Sequence, residues 1–425
     1  MVCRASEKTL QRRRWDFLRD RQILSKEETM SVALMQWEGP ATVGKALEAI
    51  NPWEDFRSGM NVLIKPNVIM GGSPKISSRG ITTSPVVVGE IVRIVRAMGA
   101  GKVTIAEGSV ELPSLKLDTN AAYQWSGIGA LAETEGIPLI DLNKGPYRAF
   151  TLSDGTEIEI AAAVLDADFV INVPVLKTHN QTVTTISLKN LKGCLSMESK
   201  KKCHIETDLN RAIAEFNQII PCHINVIDAL TATEIGPTPT GKEDQVRELG
   251  LLLAGRDRLE CDIVGSFLLG YAAEQVPHIA HYAKLSGRSL RLEDITILGE
   301  DPAQHRMTLA YISEWAQDIM EKYGLEGMRM PYYGDRVCSA CGFNLWAGLF
   351  GFCRANPGLK LEGVELCAGK DVTPDAGSRY PVLLGKCAIE GNRGIEGAIK
   401  VPGCPPDPGK MSDIMTRALI SGSKK

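Results

Sequence analysis

The residues best equipped for chemistry crowd the end of this chain, where the last ninety positions hold six of its eleven cysteines. Cys338 and Cys341 stand in a Cys-Ser-Ala-Cys pair, Cys387 follows in Leu-Gly-Lys-Cys, and Cys404 in Pro-Gly-Cys-Pro-Pro. A CxxC pair sets two thiolates on one turn facing one centre. A later single Cys and a final Cys-Pro complete four-thiolate ligation of an iron–sulfur cluster. Gly385 and Gly403 let backbone come close to a bulky inorganic core without a Cβ clash. The same four thiolates could instead hold structural zinc. A thioredoxin-like dithiol needs a long helix straight after the pair, and the helical pattern here is expected later, from about Asn344. Cys353, on that helix, is a reserve ligand, whereas Cys222, Cys261 and Cys367 read as small core hydrophobes and Cys3 as a tail residue.

A second set is built from lysine, histidine and amides. Lys177-Thr178-His179 follows the apolar run ending in Val173-Pro174-Val175, so it is expected on a loop over a strand C-terminus. A Lys and a His there can bind an anion, move a proton or ligate a metal. Lys189-Asn190 lies a few residues on, and Lys65 and Asn67 repeat the pairing after an earlier strand. Two such loops at one sheet edge would make a pocket for an anionic or carbonyl-bearing ligand, although each lysine alone reads as solvent-facing. Glu107, before Gly108, could be a general base or hold a lysine, and Asp228 is placed similarly. Thr82 and Thr83 are candidate caps for the helix after Pro85, whose N-terminus could receive an anion. Cys194 and Cys203 flank a lysine run beside His204; we read that stretch as a solvated loop. Gly71-Gly72-Ser73-Pro74 lacks the spacing of a nucleotide loop.

Strands and helices alternate in the right order to position these groups. Strands are expected at 31–35, 61–67, 102–108, 168–174, 224–228 and 249–254, and helices at 84–98, 209–219 and 262–269. Strand, helix and strand over 61–108 form a βαβ unit with a parallel sheet. The fold class is therefore α/β: a mixed or doubly wound, mainly parallel sheet over 30–300, plus a smaller C-terminal α/β cysteine-bearing domain over 336–425. Residues 1–29 form a charged extension whose Arg12-Arg13-Arg14 resembles an export signal but lacks the apolar stretch that must follow. Residues 301–335 form a helical connection. In the C-terminal part, strands near Val364, Val382–Leu384 and Ile399 would leave Cys387 and Cys404 just past strand C-termini, where open sheets place ligands.

The 425 residues carry a net charge of −3, which gives no overall attraction to nucleic acid. No apolar run approaches the ~20 residues that span a bilayer. Cysteines that are odd in number and unevenly spread suit a reducing cytoplasm better than a secreted disulfide framework.

At this point the order of motifs resembles a known family. Val62-Leu63-Ile64-Lys65-Pro66-Asn67, Thr83-Ser84-Pro85, Val103 to Gly108, Asn172 to His179, Ser187 to Gly193, Ile227-Asp228-Ala229, Leu253 to Asp257 and Val276-Pro277-His278 follow the pattern of the domain-of-unknown-function 362 family over roughly 32–290. The resemblance implies an α/β domain often joined to iron–sulfur modules. It strengthens fold and cofactor more than reaction, so whether the chain is an enzyme stays open.

Three functional expectations result. The first is a cytoplasmic, oxygen-avoiding iron–sulfur redox protein, in its sharpest form a low-potential reductase or reductive activator. Cys338, Cys341, Cys387 and Cys404 hold a 4Fe–4S cluster, while Lys177, His179, Lys189 and Glu107, with Lys65, Asn67 and Asn190, form the other site. Its acceptor would be a redox partner protein or a small molecule, a corrinoid among the candidates, and a homo-oligomer is compatible. The second is a non-enzymatic electron carrier or adaptor. The third is a non-redox enzyme with a structural zinc.

Overall fold

The computed structural model describes residues 31–72, 77–111, 116–236, 245–312, 314–331 and 336–421. The N-terminal extension, with Cys3, lies outside the described residues, as does most of the tyrosine turn at 332–335. Among the described residues there are sixteen strands. They are β1 (Ser31–Gln36), β2 (Asn61–Pro66), β3 (Lys102–Glu107), β4 (Leu139–Asp141), β5 (Tyr147–Thr151), β6 (Glu157–Ala161), β7 (Phe169–Val173) and β8 (Val175–His179), then β9 (Val183–Thr185), β10 (Ile224–Thr233), β11 (Val246–Gly255), β12 (Thr296–Gly299), β13 (Glu326–Arg329), β14 (Lys360–Ala368), β15 (Tyr380–Leu384) and β16 (Ile399–Val401).

Ten of them form one mixed sheet in the order β12-β1-β11-β10-β7-β2-β3-β4, with β8 beside β10 and β9 beside β8. Six of its nine pairings are parallel; β1–β11, β10–β11 and β8–β9 are antiparallel. Alternate residues of each central strand feed opposite cores. Val62, Ile64, Ile171 and Val173 pack with Val87, Ile91 and Val95 of the helix Pro85–Ala97, while Leu63 and Val170 face the other side with Ile213 and Phe216. A strand buried on both faces needs the near-continuous apolar runs seen here. This is the expected α/β sheet with helices on both faces.

A second sheet, β13-β14-β15-β16, is wholly parallel. Its core is separate and holds Leu345, Leu349, Phe352 and Cys353 of the helix Ser339–Ala355, together with Val364, Leu366, Val382 and Met415. Burying a side chain the size of Phe352 contributes about 1.5–3 kcal/mol. Two sequence expectations change here. The stretch read as a helical connection contains the helix Trp315–Lys322 and strand β13, and Ala316, Ile319, Met320 and Met328 belong to this C-terminal core. Cys353, the reserve ligand, is fully buried in the same core. Among the described residues no helix is long and apolar enough to cross a membrane.

Candidate metal centre and the buried lysine network

Each strand of the parallel C-terminal sheet delivers its chain to the same edge. Past β13 come Cys338 and Cys341, past β14 Gly369 and Lys370, past β15 Gly385, Lys386 and Cys387, and past β16 Cys404; all of these line one cleft of about 120 Å³. The placement follows from parallel strands, whose C-terminal ends necessarily share an edge. Cys338 is the N-cap of the helix Ser339–Ala355, and Cys341 sits one turn in, on the same side. The pair therefore does open a long helix, contrary to the sequence expectation that set aside a redox dithiol. What distinguishes it is the company of Cys387 and Cys404.

Three contacts tie the ligand-bearing loops together. Lys386 N donates to Gly403 O at 2.8 Å, Asn344 Nδ2 donates to Pro406 O at 2.9 Å, and Lys370 N donates to Arg336 O at 3.0 Å. Gly403 holds φ +131°, and a Cβ there would lie 2.7 Å from Pro405 O; Gly385 holds φ +86°. Both late glycines hold backbone angles that side chains avoid, and at Gly403 the clash would be with its own turn, a reason different from the approach to an inorganic core expected from the sequence.

The four thiols sense one another. Cys341 is pushed up by its hydrogen bond with Cys338, then by burial and by the charges of Cys338, Cys404 and Cys387. Cys387 and Cys404 are raised by burial first and then by Cys338, with Lys386 and Lys201 opposing the shift at Cys404. Four negative charges cannot collect here without a cationic core. Among the described residues no three His, Cys, Asp or Glu side chains are grouped as a single metal ion requires. The four cysteines line one cleft together with the N-terminus of the helix Ser339–Ala355 and with Arg336, Lys370 and Lys386.

The opposite wall of the cleft belongs to the large sheet's unit. It is made by Gln181 and by the turn between the helices Met197–Ile205 and Leu209–Phe216, with His204, Thr207 and Asn210. Asn180 Nδ2 donates to Val337 O at 2.9 Å, and Lys370 Nζ to Thr207 O at 3.4 Å, closing the two units against each other. Lys192 Nζ lies 2.8 Å from His204 Nε2. An ammonium can only donate, so Nε2 accepts and the imidazole proton resides on Nδ1, which is buried and has no partner among the described residues. Burial first, then the positive charges of Lys192, Lys189 and Lys370, hold His204 well below the usual histidine range. Burial also lowers Lys192, while negative charge on Cys203 and Cys338 pulls it back up. His204, Lys192 and Asn210 were missed as site residues in the sequence. The signal was Cys203-His204 after the lysine run, which we had read as a solvated loop.

Behind this wall lies a network of buried cations. Lys65, 0% exposed at the end of β2, holds Glu107 of β3 at 2.8 and 2.9 Å. Glu107 also accepts from Val68 N and Gly108 N, so its role is to hold a lysine and order a loop. Asn67 Nδ2 donates to Asn190 Oδ1 at 2.9 Å, and Lys177 Nζ donates to Asn67 Oδ1 and Ile81 O, both at 2.7 Å. Gly193 permits this packing, because a Cβ there would meet Glu107 Oε1 at 2.2 Å. The two Lys/Asn motifs do meet, but as a satisfied interior network and not as solvent-facing lysines. Lys177-Thr178-His179 is strand β8, not a loop: the chain leaves β7 at Pro174 and re-enters the sheet. Lys189 donates to Thr185 Oγ1 at 3.1 Å, and Lys200 to Gly108 O and Asn143 Oδ1 at 2.7 Å. Burial pushes Lys177 and Lys200 down to about 7, and drives Lys189 and His179 well below their ordinary values.

The remaining sequence candidates are structural. Asp228 accepts from Ser84 N at 2.7 Å, so it supplies the anion at the N-terminus of the helix Pro85–Ala97. Thr83 Oγ1 donates to Val173 O and does not cap that helix. Cys194, Cys261 and Cys367 are buried thiols, Cys222 is half-buried, and Cys203 is buried behind Lys192.

Set beside known proteins, residues 62–266 match the family described as Domain of unknown function (DUF362). The thylakoid-associated protein sll1697 of Synechocystis sp. (strain ATCC 27184 / PCC 6803 / Kazusa) is 29% identical over 252 residues, 58% of this chain and 74% of that relative. Among solved structures, the lactate racemase apoprotein from Thermoanaerobacterium thermosaccharolyticum aligns with a TM-score of 0.38 and 12% identity, over 92% of this chain and 81% of the other. A Thermotoga maritima protein aligns with a TM-score of 0.34 and 13% identity over 58% of this chain, which spans only 59% of that protein's length. At these scores neither structure bears on function.

Proposed function

We propose that this chain is an iron–sulfur redox protein in which Cys338, Cys341, Cys387 and Cys404 hold a 4Fe–4S cluster at the junction of two α/β units. The observation that carries this reading is that four cysteines, delivered from three strand exits, line one cleft. The CxxC pair followed by a lone Cys and a Cys-Pro supports a cluster, and structural zinc on the same four thiolates is the competing reading. When bound, the cluster supplies reversible one-electron transfer. The chain's own residues set its surroundings. His204 lines the cleft with Lys192 bonded behind it, and Lys370 reaches across to Thr207 O. Cations beside an anionic centre favour its more negative, reduced state. They therefore argue against the lowest end of the potential range that the sequence reading had stressed. His179 and Lys189 of the buried set sense the charge of Lys192, which bonds His204 on the cleft wall, so electrostatics supports reading the two sites together.

The test is anaerobic purification with iron, sulfide and zinc analysis, and absorption and EPR spectra before and after dithionite. About four irons and four sulfides per chain, lost together in Cys387→Ala, are expected. One zinc and no chromophore would overturn the reading.

A further inference from the structure

Only one of the four cysteines, Cys404, is exposed; Cys338, Cys341 and Cys387 are partly covered. The cleft is thus polarised, with Cys338 on the side of Lys192 and Cys404 at the mouth. Its surroundings are cationic. Arg336, Lys370 and Lys386 line the cleft from the C-terminal unit, and Lys386 and Lys201, one from each unit, reach Cys404 electrostatically. Against them stand Asp208, engaged in capping the helix Leu209–Phe216, and Glu390, 4.0 Å from Lys386. The chain as a whole carries −3, so this positive rim is local and runs against the bulk charge. A positive collar around the one exposed edge of a redox centre orients and captures a carboxylate-rich partner, while the negative remainder repels it in other orientations.

We infer that the Cys404 mouth is the docking site for an acidic one-electron-transfer protein that reduces the cluster. This rests on the cluster reading above. The exchange is balanced by one electron: the partner's reduced centre is oxidised by one, the cluster is reduced by one, and no bond forms or breaks.

The test uses the full chain, prepared anaerobically, with two reductants followed by stopped-flow: a reduced acidic [2Fe–2S] ferredoxin and the reduced methyl viologen cation radical. With ferredoxin, the rate is expected to fall roughly tenfold between 50 and 300 mM salt, and roughly tenfold at low salt in Lys201→Glu or Lys386→Glu. With methyl viologen, the same variants are expected to react as fast as the parent or faster. A ferredoxin rate indifferent to salt and to both variants, or an equal slowing with both reductants, overturns the docking site. Iron and sulfide counts on the same samples separate the two claims: a parent chain without cluster refutes the reading beneath, whereas a loaded chain with salt-independent kinetics refutes the docking alone.

Discussion

A lysine without exposed surface must keep a partner for its charge or give up its proton, and this protein does both. Lys65 is paired with Glu107, each nearly fully buried. Removing one member leaves the other as an uncompensated interior charge, so Lys65→Met is expected to cost about 3–5 kcal/mol in urea unfolding, and the double change Lys65→Met/Glu107→Gln far less than twice that. Lys177 takes the second course, brought down to about 7 by burial. The unfolded chain then holds one more proton than the folded one between pH 7 and about 10.5, so stability rises with pH across that window. Lys177→Met is expected to flatten the rise by up to about 1.4 kcal/mol per pH unit in denaturation curves taken between pH 7 and 10. None of this burial was legible in the sequence, because the partners lie 42 and 110 residues away along the chain.

At the scale of elements, the cysteines are held by turns and not by their own packing. Gly403→Ala forces a Cβ against Pro405 O at a backbone angle that side chains avoid. It is expected to abolish iron incorporation while the circular dichroism of both sheets persists. Asn344→Ala removes the bond from the helix Ser339–Ala355 to Pro406 O and should cost about 1 kcal/mol, with faster iron loss to a chelator. Elements are also where the sequence was most readable. Strands such as β2, β3, β7 and β15 announce themselves by apolar runs bounded by breakers, and the exits of β15 and β16 located Cys387 and Cys404 correctly. Pro174 misled, since a proline after an apolar run reads as a strand end, yet here the chain resumes pairing as β8. The segment 315–330 misled too, because β13 is only four residues long and half polar. His204 was hidden behind a lysine run that reads as solvated, although Lys200 is buried and Lys202 half-buried.

For the whole molecule, the decisive fact is that the cleft has two owners. Its thiols come from the parallel C-terminal sheet, while His204, Thr207 and Asn210 come from the large one. For the cluster we propose, Lys192, on the large sheet's side, is expected to raise the potential, and Lys192→Met should move an EPR-monitored midpoint downward with iron content unchanged. The division of the cleft also carries a consequence for biogenesis. The wall turn at 204–210 leaves the ribosome well before Cys338, and about sixty more residues must follow before Cys404 is made. Strand β1 reaches its partner β12 only after residue 296, so the large sheet is completed after that wall is synthesised and before the first ligand pair emerges. The order of synthesis therefore places the wall before the thiols that face it.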